Sequence, residues 1–87
     1  MSIETIWNNI KHHEGEAFYT KTRIEYSYVV YADYLLINDL KSRKITKSTV
    51  DKAMRIVSPT PRKIELEGFR CHSYIWGIIT DKRIKGL

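Results

Sequence analysis

Apolar residues open the chain at helical spacing: Ile3, Ile6, Trp7 and Ile10 share one face, and Ser2 stands where a capping side chain is wanted. This predicts a short amphipathic helix. His12, His13, Glu14 and Gly15 end it, with Gly15 as the stop and the histidines set against the helix's negative end. Over residues 16–38 the composition turns to Tyr, Val, Ile, Thr and Phe, the residues of strands. Ile24, Tyr26, Tyr28 and Val30 alternate with Glu25, Ser27, Val29 and Tyr31, the period of two of a strand with one buried face. Residues 18–22 precede this strand and residues 34–37 follow it, which gives three antiparallel strands. Ala32 and Asp33 make a turn short enough for a hairpin, whereas Thr22 and Arg23 lack the Gly or Asn that a tight turn favours. Leu35, Leu36 and Ile37 run without alternation, as a strand buried on both faces or tucked beneath a helix does.

A polar, basic stretch over residues 38–44 leads to the clearest helix start. Thr46 or Ser48 can cap it, and Ser48, Thr49, Val50 and Asp51 fit a loose capping box. Val50, Ala53, Met54 and Val57 form its apolar stripe and leave Lys47, Asp51, Lys52 and Arg55 in solvent. Ser58, Pro59, Thr60 and Pro61 stop it, because a proline disfavours helix in the residue before it. Residues 64–67 read as a fourth, edge strand. After Gly68, residues 73–80 read as a last helix capped by Ser73, with Lys82 and Arg83 at its C-terminal end and a buried strand as the alternative. The sum is an α+β fold: a three-stranded antiparallel sheet, four-stranded if residues 64–67 join it, with an N-terminal helix and two further helices packed on one face. Trp7, Ile10, Tyr28, Val30, Leu36, Val50, Met54, Ile75 and Ile79 are its expected core.

The 87 residues are expected to form one domain, 1–87. An apolar share of 43% against 29% charged residues is ordinary for a globular chain and too apolar for a disordered one. A domain of this size buries roughly 60–65% of its unfolded surface, a thin margin that leaves monomer and homodimer both open. The longest apolar run, residues 74–79, is far short of the roughly 20 residues that span a bilayer. With no signal segment and a lone Cys71, the expected setting is a reducing cytoplasm, with no membrane.

Charge changes this picture more than composition does. The net charge is +5, but residues 1–40 are acidic on balance and the excess of bases lies beyond them. Lys41, Arg43, Lys44, Lys47, Lys52, Arg55, Arg62 and Lys63 face the single acid Asp51 within residues 41–63. Such a concentration repels itself, and a polyanionic partner is one physical reason for a fold to carry it. A helix N-terminus near Thr46, with Ser48, Thr49, Lys44 and Lys47 around it, would hold a backbone phosphate. Arg43 and Arg55 are the expected base readers, since guanidinium bonds guanine bidentately. The alternative is a solvated, salt-screened helix face.

Phe18, Tyr19 and Thr20 with Ile24, Glu25 and Tyr26, the helix start Ile45 to Ser48, Gly68, Ser73 to Trp76, and Asp81 to Ile84 together form a pattern over most of the chain. It resembles short bacterial and phage proteins associated with restriction and nuclease systems. Arg23 and His72 depart from that pattern, which has a Gly in the first hairpin and a small residue before Ser73. The resemblance implies DNA-associated work and carries no catalytic residues.

Other chemistry is weaker. Six tyrosines suggest a sheet that stacks unpaired bases, but Tyr26 and Tyr28 belong to the buried face with a wet hydroxyl, leaving Tyr19 and Tyr31 to be exposed together. His12, His13, Glu14, Glu16 and the distant His72 are the acid and base candidates of a small ribonuclease toxin. One Cys and three His match no closed metal site, and Cys71 between Arg70 and His72 reads as a tolerated cysteine. The leading expectation is a non-enzymatic nucleic-acid-binding accessory protein with no cofactor, no metal and no catalytic residue. Its contacts run through Lys41, Arg43, Lys44, Lys47, Ser48, Lys52, Arg55, Arg62 and Lys63, with DNA ahead of RNA. A protein-interaction module of a phage or defence system, docking through the apolar C-terminal segment and exposed tyrosines, is the alternative.

Overall fold

Ser2 opens the first helix, α1 (Ile3–His12), by accepting a hydrogen bond from the Thr5 amide at 3.3 Å. Its stripe of Ile6, Trp7 and Ile10 is buried. The computed structural model describes residues 2–37 and 40–86, and the side chains of all of these except 40–43. Beyond α1, Gly15 takes the left-handed φ of +83° that lets the chain reverse, and its amide donates to the Tyr28 carbonyl at 3.1 Å.

The strand region makes two sheets rather than one. Strands β1 (Phe18–Tyr19) and β2 (Glu25–Tyr26) pair antiparallel; β3 (Tyr28–Val30), β4 (Tyr34–Ile37) and β5 (Leu40–Thr46) form a three-stranded antiparallel sheet in that order. The expected continuous strand is divided at Ser27, where Tyr26 pairs with Phe18 and Tyr28 with Ile37. Alternation survives the division, so both tyrosines point inward and are buried. Ile24, expected inward, belongs to the turn before β2 and is 57% exposed. That turn closes by Arg23 amide to Thr20 carbonyl (2.9 Å) and Thr20 amide to Ile24 carbonyl (3.0 Å), a three-residue loop with Arg23 at φ 70°. The second hairpin turns at Ala32 and Asp33, where the Tyr31 amide donates to the Tyr34 carbonyl at 2.8 Å.

The pleat also settles residues 35–37. Leu35 and Ile37 are fully buried while Leu36, expected in the core, points to the opposite face and is half-buried. The basic stretch expected as a connection includes strand β5, because pairing with β4 satisfies its backbone whatever its side chains prefer.

Helix α2 (Lys47–Met54) follows β5 directly, capped by the Thr46 side chain, which accepts from the Thr49 amide at 3.1 Å. It ends a turn earlier than its apolar stripe suggests, so Val57 stands 82% exposed. The expected edge strand at 64–67 is instead part of helix α3 (Pro61–Leu66), with Thr60 as cap and Pro61 in the first turn. In a helix, residues two apart face different ways, which puts Ile64 in the core and leaves Leu66 68% exposed. Helix α4 (His72–Ile79) fulfils the helical reading of the last apolar run, but its cap position is Cys71 at φ 58°, not Ser73. Lys82 and Arg83 do not trail from α4; they belong to a further turn, α5 (Lys82–Lys85), capped by Asp81. Four helices therefore follow α1 among the described residues, rather than two.

The fold is α+β, and its buried residues form one cluster joining the inner sheet face, Tyr28, Leu35, Ile37 and Ile45, to Ile6, Ile10, Val50, Ala53, Ile75 and Ile78 of the helices. Val30 and Met54 pack at its margin. The tyrosine hydroxyls are not wet: Tyr28 donates to the Ile10 carbonyl and Tyr26 to the Tyr74 carbonyl, each at 2.7 Å. Burial pushes both phenols well above their usual range. Among the described residues no helix is long and apolar enough to cross a membrane.

Candidate nucleic-acid interface

The residues expected to hold a polyanion stand on a strand and two helices. Lys41, Arg43 and Lys44 lie on β5, at one edge of the sheet; the side chains of Lys41 and Arg43 fall outside the described set. Charged residues and a register shift, here between Leu36 and Ile37, also keep an edge strand from pairing with another chain, so the fold itself accounts for part of this charge.

The N-terminus of α2 does not gather the expected groups around one anion. Lys47 donates to both oxygens of Glu4 on α1, at 2.9 and 3.0 Å, and its amide donates to the Asp33 carbonyl at 2.8 Å. Thr49 gives its amide to Thr46, and their hydroxyls share a 3.0 Å bond. A cavity of about 320 Å³ at this point is lined by Asp33 and Asp51 as well as Thr46, Lys47 and Ser48, which disfavours a phosphate. These groups tie α2 to α1 and to the hairpin turn instead.

Farther along, Lys52 and Arg55 line a second open cavity with Ile56, Glu67 and Phe69. Arg55 pairs with Asp51 at 3.3 Å and Arg62 with Glu65 at 3.5 Å, both in exposed positions where such pairs contribute ~0–1 kcal/mol and yield readily to a competing phosphate. Lys63 folds back, its ammonium donating to the Val57 and Ser58 carbonyls at 3.0 and 3.1 Å.

What sequence reading underweighted is the outer face of the three-stranded sheet. The register places Tyr34 beside Thr46, and Leu36 beside both Lys44 and Val29, opposite the core residues Leu35, Ile37 and Ile45. Tyr31 continues the same face across the hairpin. Val29 and Tyr31 on this face are 36% and 47% exposed, while Tyr34, Leu36 and Thr46 are half-buried. Tyr31 stacks on Tyr34, with ring centroids 5.1 Å apart and planes 17° from parallel. The Lys44 ammonium lies over the Tyr34 ring, 4.2 Å from its centroid. Tyr19 and Tyr31 are both exposed, as expected, but they stand at separate sheets, and the ring beside Tyr31 is that of Tyr34, in a ladder with Lys44. Tyr19, equally exposed, lies on β1 and donates to Glu25 at 3.2 Å. The signal was legible in principle, since Tyr31 and Tyr34 flank a two-residue turn and must face one another.

The other expected chemistry is dispersed. His13 bonds Glu16 at 2.9 Å and meets His12 edge-on, while no hydrogen bond, ion pair or ring contact links either to His72 at the start of α4. Glu16 and Asp81 are held below the usual carboxylate range, Glu16 by hydrogen bonds from His13 and Arg83 and Asp81 by those from Arg83. These bonds join α5 to the loop after α1: Arg83 reaches Asp81, Glu16 and the Ala17 carbonyl and lies over the Phe18 ring. The apolar C-terminal segment expected to dock a partner is core, with Ile75, Ile78 and Ile79 buried. Among the described residues no three His, Cys, Asp or Glu come together as a metal site. Comparison of the chain with protein-family models, curated proteins and solved structures gives no match.

Proposed function

We propose that the protein is a non-enzymatic nucleic-acid-binding accessory protein. Its contacts are dominated by the phosphate backbone and run through the basic segment 41–63, with the outer sheet face as the surface that meets unpaired bases. The observation that carries this reading is the ladder of Lys44, Tyr34 and Tyr31 on the outer sheet face, its far ring exposed to solvent. A stacked aromatic pair with a cation at one end and an exposed ring at the other presents a π surface beside positive charge, the combination that holds single strands without reading sequence. Lys52 and Arg55 extend the positive surface along α2. DNA association is also what the resemblance to restriction-associated proteins implies.

Fluorescence anisotropy with a labelled single strand and the matching duplex, at about 50 and about 200 mM salt, tests this. Affinity is expected to fall by an order of magnitude or more between the two salts. Tyr31→Ala is expected to weaken single-strand binding roughly 5- to 100-fold and duplex binding less. Absence of binding to both at the lower salt overturns the reading.

A further inference from the structure

A second surface stands apart from residues 41–63. The β1–β2 hairpin and helices α4 and α5 bound an open groove of about 620 Å³, lined among others by Tyr19, Lys21, Arg23, Trp76, Asp81 and Lys82. A volume of this order suits a small organic ligand and exceeds what a bare anion fills.

Its charge is unopposed. Lys47, Arg55, Arg62 and Arg83 are paired with carboxylates, Lys63 with carbonyls and Lys44 with a ring. Lys21, Arg23 and Lys82 are exposed, and among the described residues none of their side chains reaches a carboxylate. The one acid lining the groove, Asp81, has both oxygens held by Arg83 at 2.9 Å. Three exposed cations therefore border one groove whose lining acid is already engaged, and an anion there would relieve their mutual repulsion.

The groove is also aromatic. Gly77 lets α4 approach the hairpin backbone so closely that Trp76 and the hairpin's cations border one space. Trp76 is oriented by its indole N–H, which donates to the Pro59 carbonyl at 3.1 Å. Thr20 and Thr80 also line it, their hydroxyls engaged in the fold: that of Thr20 accepts from the Ile24 amide at 3.1 Å and that of Thr80 donates to the Trp76 carbonyl at 2.6 Å. Arg23 occupies a left-handed backbone position that glycine fills without strain, so the chain carries a cation there against its local preference.

We propose that this groove binds a nucleotide, with Lys21, Arg23 and Lys82 taking the phosphate and Tyr19 and Trp76 offering aromatic surface to the base. The inference is independent of the outer sheet face, and its ligand is either a free mononucleotide or a nucleotide within a single strand.

The test is a ¹⁵N–¹H NMR titration of the full chain with thymidine monophosphate, with inorganic phosphate, and with an eight-residue oligothymidylate. The nucleotide is expected to shift the amides of Lys21, Arg23, Gly77, Thr80 and Lys82 and the Trp76 indole; the oligonucleotide alone doing so identifies the strand as the source. Lys21→Glu and Lys82→Glu are each expected to weaken the effect about tenfold. Arg23→Gly should weaken it while raising the unfolding temperature, which excludes misfolding as the cause. Tyr31→Ala and Lys44→Ala should leave the groove shifts intact, so failure of the sheet-face reading is separately visible. Groove amides unmoved by nucleotide and oligonucleotide alike, or moved as far by phosphate alone, overturn the proposal.

Discussion

The carbonyl oxygen of Tyr19 lies 2.5 Å from the point where a Cβ on Gly77 would stand. The Tyr26 hydroxyl, which donates to the Tyr74 carbonyl, meets the same point. Helix α4 therefore packs backbone to backbone against β1, and neither obstacle is the free end of a flexible side chain. Gly77→Ala is expected to force the helix off the hairpin at a cost of about 2–3 kcal/mol, lowering the thermal midpoint by ~10–20 °C. Thermal denaturation followed by circular dichroism measures it, and an unchanged midpoint would show that α4 does not sit this close.

That contact also marks what could be read from the sequence. Period-two alternation over residues 26–30 placed Tyr26 and Tyr28 in the core correctly, because alternation is local and survives the change of sheet at Ser27. The helix caps at Ser2 and Thr46 were legible for the same reason. Residues 64–67 were not: Ile64 and Leu66 alternate like a strand, and only Pro61 at the helix start and the packing of Ile64 decide for helix. Strand β5 was hidden because its partner β4, not its own composition, makes it a strand. The candidate surfaces divide likewise. Sequence showed which residues are basic, while which of them are already engaged depends on contacts such as Lys47 with Glu4, forty-three positions apart.

Arg23 carries the next prediction. Its φ of 70° places an L-residue where the Cβ crowds the following carbonyl. Arg23→Gly is expected to stabilise the fold by about 1 kcal/mol, less the entropy that glycine adds to the unfolded chain. A rise of a few degrees in the thermal midpoint checks it; a fall would mean that the Arg23 side chain contributes more to the hairpin than its backbone costs.

Arg83 governs the acid limb of stability. Its hydrogen bonds hold Asp81, and with His13 hold Glu16, below the usual carboxylate range. A carboxyl whose value is depressed in the folded state binds protons less readily there than when unfolded. The stability it contributes is thus fully present above the unfolded value and lost as pH falls below about 4 through the folded one. Arg83→Gln should lower the midpoint at neutral pH and flatten its decline in acid, so the variant and parent curves converge. Parallel curves from pH 7 to pH 3 would exclude the Arg83 bonds as the cause.

Lys63 and Lys52 separate stability from binding within one basic segment. The Lys63 ammonium satisfies the Val57 and Ser58 carbonyls just after α2, where Ser58 itself is held at a φ of 48°. Lys52 is exposed on α2 and lines the cavity beside Arg55, and among the described residues its ammonium makes no hydrogen bond or ion pair. Lys63→Ala is therefore expected to cost about 1 kcal/mol of stability, whereas Lys52→Ala should stay within roughly 0.5 kcal/mol of the parent. Binding should rank them oppositely. Lys52→Ala removes a cation available to a phosphate and should lower the slope of log affinity against log salt by about one, while Lys63→Ala changes it less. Denaturation and salt-dependent anisotropy on the two variants measure both quantities. Equal slopes for parent and Lys52→Ala would take α2 out of the interface and leave the outer sheet face to carry the contact.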